Sequence, residues 1–174
     1  NPAAHEQTTG PEIWQQTEGH LDAVVCGVGS GGTITGLSRY FARVAPHVQM
    51  VLADPAGSVL ADYITTGDVG QAGSWRVEGI GEDFVPPICD LSRVHKAYTI
   101  TDRQSFSTAR QLLRAEGIFA GSSSGTLLAT ALEATGNAPT AAKVRARLQE
   151  LPKSDAPPVI TGTPVAATPG ADAY

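Results

Sequence analysis

An α/β fold, a mostly parallel twisted sheet flanked by helices, is predicted by three features of the sequence. Short apolar runs of strand length alternate with segments of helical periodicity. Four glycines fall within residues 27–32, between one such run and the helical segment after it. A second small-residue loop, Gly121-Ser-Ser-Ser-Gly125, opens another helical segment. With 174 residues, 41% of them apolar and 17% charged, the chain has enough hydrophobic material for one ordinary core.

The elements follow in order. Pro11 near a helix start and Glu12 in its first turn predict a helix over 11–18 capped by Thr9 or Gly10. Asp22–Cys26 reads as a short buried strand. Residues 33–44 carry Ile34, Leu37, Phe41 and Val44 at helical spacing until Pro46 stops them. Val48–Ala53 is the next strand, which closes a βαβ unit, and Asp54 follows it directly. Residues 55–92 are rich in Gly and Pro and are expected to be irregular. Val94–Ile100 is a third strand. Thr101-Asp-Arg-Gln104 is a capping box for a helix that Gly117 ends after Glu116. Residues 126–132 and 140–151 are predicted helical, and five prolines in 152–174 predict a disordered tail. The α/β pattern thus occupies 1–135, and 136–174 stands apart from it.

Charge and cysteine content exclude several functions. A net charge of −5 argues against a nucleic-acid or anionic-membrane surface. Two cysteines, Cys26 and Cys89, make neither a metal motif nor a disulfide framework, and Cys26 sits in an apolar run as core filler. No run approaches a membrane span and no signal-peptide pattern is present, so a cytoplasmic protein is expected. His5, His20, His47 and His95 lack ligand spacing, so no metal site is expected.

The run VCGVGSGGT (25–33) carries the chemistry. Gly27-x-Gly29-x-x-Gly32 follows a strand, opens a helix and precedes Asp54 at the end of the next strand, the pattern of an NAD-type dinucleotide site. A purely structural glycine turn is the plain alternative. Ser30 and Thr33 add hydroxyls that suit a terminal phosphate monoester better than a bridging pyrophosphate, and a small phosphorylated cofactor held at both ends needs two such loops.

The runs TTGPEIW (8–14), LDAVVCGVGSGGTITG (21–36), VEGIGEDFVP (77–86) and AEGIFAGSSSGTLLATAL (115–132) closely resemble the fold type II pyridoxal-phosphate enzymes, within them the cystathionine β-synthase and cysteine synthase family. The resemblance implies a partial tryptophan synthase β-like fold and pyridoxal 5'-phosphate as cofactor. It assigns the phosphate to Gly29, Ser30, Gly31, Gly32 and Thr33, and the pyridine nitrogen to the hydroxyl of Ser123. From the residues alone, Ser123 reads equally as a helix cap or turn serine.

A hydroxyl opposite the pyridine nitrogen keeps the ring a moderate electron sink, which suits β-replacement. By the same resemblance Gly79 lies along the cofactor's open face, where a side chain would block substrate. Glu82 would receive the amino group of a second substrate; as a bare sequence feature it is equally a solvated loop acid. The implied reaction joins serine, or an activated serine, to a thiol: homocysteine to give cystathionine, or sulfide with O-acetylserine to give cysteine. A dinucleotide module using Gly27, Gly29, Gly32 and Asp54, and a non-catalytic fragment, are the alternatives.

The family's Schiff-base lysine lies in a Ser-x-Lys-Asp-Arg-like segment that this sequence lacks, since Lys96, Lys143 and Lys153 stand in other contexts. The Asn-containing substrate-carboxylate loop is also missing, and 136–174 matches no segment of the family. The expectation is therefore an interior fragment, inactive alone, of an enzyme that is a homodimer when complete.

Overall fold

The computed structural model of the chain describes residues 1–135; the helix predicted over 140–151 and the tail over 152–174 lie outside the described residues. The elements are α1 (Pro2–Ala4), a π-helical turn (His5–Thr9), α2 (Gly10–Gln16), β1 (Ala23–Cys26), α3 (Gly32–Val44), β2 (Gln49–Pro55), α4 (Leu60–Thr66), β3 (Val94–Ile100), α5 (Asp102–Glu116) and α6 (Ser122–Ala134).

The three strands form one sheet in the order β1-β2-β3, and both pairings are parallel. Val25 pairs with Val51 and Leu52 with Ala97, with one register irregularity between Met50 and Val51. Parallel strands need crossovers that cover the sheet faces, and β2 is accordingly buried from Met50 to Pro55. Of the stripe predicted on α3, Ile34, Leu37 and Phe41 are buried against Val28, Met50 and Leu52. Val44 departs from that stripe. It is 43% exposed, because the chain turns at Ala45 and it is Ala45 and Val48 that enter the core.

Cys26 is buried as expected, and burial pushes its thiol up to about 12. The capping box forms as the spacing predicts: Thr101 Oγ1 accepts from the Gln104 amide at 3.3 Å while Gln104 Oε1 accepts from the Thr101 amide at 2.9 Å. Gly117 ends α5 with φ 70°.

Three elements differ from expectation. Thr9 does not cap a helix beginning at Pro11; its φ and ψ are −61° and −43°, and helical backbone runs from Pro2 through Gln16. Pro11 has no amide hydrogen to donate, and the wider π turn just before it, closed by Gly10 N–H to His5 O, accommodates the missing bond. Ser122–Ser124 form the first turn of α6 rather than a loop, with Gly121 as N-cap.

Within the expected irregular stretch, Leu60–Thr66 is helical and Gly67 ends it with φ 82°. Its start is held by Asp54, whose Oδ2 accepts from Ala61 N at 2.9 Å. Among the described residues no helix is long and apolar enough to cross a membrane.

Candidate functional site

The glycine loop leaves the carboxyl end of β1 and becomes α3, the location at which open parallel sheets hold ligands. Gly31 is the N-cap with φ 85°, and a Cβ there would collide with Cys89. Only glycine meets both demands. A Cβ on Gly29 would stand 2.8 Å from Gly79 O, and one on Gly27 would stand 2.6 Å from Ile80 Cγ2. Gly81 N donates to Val28 O at 2.8 Å. The first glycine loop and segment 77–82 therefore lie backbone to backbone. Segment 77–82 also reaches the second loop, because Glu78 N donates to Ser122 Oγ at 3.3 Å. The two small-residue loops and segment 77–82 thus form one connected surface.

The helix starts on this surface lack side-chain caps. Neither Gly31 at α3 nor Gly121 at α6 supplies one, whereas α5 carries a full capping box. First-turn amides have no partner inside a helix, so α3 and α6 each present free donors and a positive dipole end. The Ser123 hydroxyl, half-buried in the first turn of α6, has no hydrogen-bond partner among the described residues. Space is available in front of them: a Cβ on Gly79 or Gly121 would meet nothing within 4 Å.

Two residues at this surface escaped the sequence reading. His5 Nε2 lies 3.2 Å from Thr33 Oγ1, while its Nδ1 lies 3.1 Å from Thr9 Oγ1. Asn1 Nδ2 donates to Ser30 Oγ at 3.3 Å. Both hydroxyls of the loop are thus oriented by the N-terminal helical run. Nothing in the spacing announces this, since each pair is nearly thirty positions apart and meets only because α1 packs on α3.

Glu82 is anchored by its backbone. Ser58 Oγ accepts from Glu82 N and donates to Glu82 O, both at 3.1 Å, and Val59 N donates to the same carbonyl at 3.0 Å. Partial burial, with the Asp83 charge beside it, pushes the Glu82 carboxyl above the usual carboxylate range.

Asp54 does not do what the dinucleotide pattern requires. It is fully buried and caps α4, so it is not available to a ribose. Burial raises its carboxyl pKa, and the Ala61 amide draws it partly back. Among the described residues no group of three or more His, Cys, Asp or Glu could hold a metal.

The sequence profile of the pyridoxal-phosphate dependent enzymes matches residues 1–146. The chain belongs to that family. Cysteine synthase A of Escherichia coli (strain K12) is 42% identical over 135 residues, which is 76% of this chain and 42% of the relative. Cystathionine beta-synthase of Apis mellifera is 40% identical over 133 residues, covering 76% of this chain and 26% of the relative. The enzyme of that name from Oryctolagus cuniculus is 40% identical over 134 residues, or 77% of this chain and 24% of the relative. The chain therefore spans less than half the length of these relatives.

The parallel α/β sheet and the cofactor expected from the sequence agree with membership of the pyridoxal-phosphate dependent enzymes. The residues present fit that cofactor. Uncapped amides and two hydroxyls at α3 offer more donors than a structural turn needs, and the unpartnered Ser123 hydroxyl offers a neutral contact on the second loop.

Proposed function

We propose that this chain forms the cofactor-holding part of a β-replacement enzyme that condenses serine, or an activated serine, with homocysteine to give cystathionine. The observation that carries the reading is the pair of uncapped helix starts, α3 and α6, joined through segment 77–82. Gly29, Ser30, Gly31, Gly32 and Thr33 hold the phosphate of pyridoxal 5'-phosphate with backbone amides and two hydroxyls. His5 and Asn1 keep those hydroxyls turned to their task. Ser123 meets the ring nitrogen with a neutral hydroxyl. When bound, the cofactor supplies an electron sink for breaking the bond at the substrate β-carbon.

Gly79 leaves room for the substrate over the ring, and Glu82 receives the ammonium group of the incoming amino-acid thiol. Lys96 is the one lysine among the described residues; it lies in the amino-terminal half of β3, at the end of the sheet away from the loops. The amine that bonds the cofactor, and the proton transfers it makes, are assigned outside the described residues.

Cysteine formation from O-acetylserine and sulfide is the second reading, favoured by the near-equal identity of the cysteine synthase relative. Glu82 separates the two. In the intact enzyme, Glu82→Ala is expected to raise the KM for homocysteine about tenfold, the loss of one charge-assisted contact of ~1.5 kcal/mol, while serine turnover in the absence of thiol is unchanged. Steady-state kinetics with each substrate varied separately measures this. Equal effects on both substrates defeat the role of Glu82, and faster turnover with O-acetylserine and sulfide than with serine and homocysteine selects the second reading.

A further inference from the structure

The amino-terminal end of the sheet carries a second surface that the proposed reaction does not use. A groove of about 490 Å³ opens there among residues that include His47, Val48, Met50, Arg93, His95 and Lys96. Two cations and two imidazoles converge on it, and no acidic residue lines it. That is unusual in a chain of net charge −5. Neither Arg93 nor Lys96 is paired: the ion pair formed among the described residues joins Arg43 to Glu6. The Arg93 Nε is buried with no hydrogen-bond partner, a donor withdrawn from water without compensation. The His47 ring is set edge-on against Trp14 at 6.5 Å, which orients its imidazole.

Like charges gathered without counter-charges repel, and an anion in the groove relieves that repulsion. The groove's lining is mixed: Pro46 offers exposed apolar surface beside the polar side chains, while Val48 and Met50 lie behind it, each only 3% exposed. The cavity is also within the range of small-molecule sites rather than of a single ion. The geometry points to a binding site for a small organic phosphate, its phosphate on Arg93, Lys96 and the imidazoles and its body against Pro46. Guanidinium suits this work because its planar donors match two phosphate oxygens at once. The site is remote from the cofactor loops, which lie at the carboxyl ends of the strands, so it is independent of the proposed reaction and would report a second metabolite to the same protein.

The test uses the intact protein saturated with pyridoxal 5'-phosphate, so that the loop at α3 is already filled. Equilibrium dialysis against labelled AMP is expected to show saturable binding of one molecule per chain. Inorganic phosphate should compete, but only at higher concentration because it lacks a body to lie against Pro46. Arg93→Gln and Lys96→Gln should each weaken AMP binding about tenfold, the loss of one charged contact, with the cofactor's absorbance unchanged. Absence of saturable AMP binding, or full binding by the double variant, overturns the site. Phosphate competing as strongly as AMP overturns the role given to Pro46.

Discussion

Replacing Gly31 with alanine is expected to weaken cofactor binding about a hundredfold while the protein stays folded. Its φ of 85° costs a residue with a Cβ ~1–2 kcal/mol, and that Cβ would also enter the space held by Cys89. The loop can relieve both only by moving, and moving it displaces the amides that open α3. Losing two charge-assisted hydrogen bonds at ~1.5 kcal/mol each gives the stated factor. Titrating the apoprotein with pyridoxal 5'-phosphate and following cofactor absorbance measures it. Gly67→Ala is the control: its φ is 82°, but nothing lies within 4 Å and it ends α4, so it should lower stability by ~1 kcal/mol and leave the titration unchanged.

Gly125→Val is expected to cost several kcal/mol and to leave little folded protein. A Cβ at this position would run into the Ser105 carbonyl and come within 2.9 Å of Ala109 N, both backbone groups of α5 that cannot swing aside. Pushing α5 and α6 apart also breaks the 2.7 Å hydrogen bond from Thr126 Oγ1 to Ser105 Oγ, between side chains that are fully buried. Overpacking contributes ~1–3 kcal/mol and each stranded hydroxyl a similar amount. That sum is a large part of the stability of an ordinary domain. The urea midpoint reports it; a midpoint within error of the wild type would show that α5 and α6 are not packed as described.

The strands and the long helices were legible because their signals are local. A run such as Val48–Ala53 needs no knowledge of its neighbours, and Thr101 and Gln104 state the start of α5 by themselves. The α4 helix was hidden among glycines, although Val59, Leu60, Tyr63 and Ile64 repeat at helical spacing before Gly67. Its true start signal, Asp54, precedes it by several residues and looked like a nucleotide ligand. Pro11 misled in a similar way, because a proline that usually opens a helix here follows a π turn that lets the helix run through it.

At the candidate site, the glycines and hydroxyls of residues 27–33 were proposed from their spacing, and Ser123 from the resemblance. His5, Asn1 and Ser58 could not. Their contacts with Thr33, Ser30 and Glu82 exist only once the N-terminal helical run lies on α3 and Glu82 lies against the turn before α4.

A crystal structure of the cofactor-loaded intact protein is the most direct test of the central claim. It should show the phosphate within hydrogen-bond distance of the amides of residues 29–33 and of the Ser30 and Thr33 hydroxyls, and the Ser123 hydroxyl against the ring nitrogen at the other end. A phosphate seated away from α3, or Ser123 facing away from the ring, would contradict it.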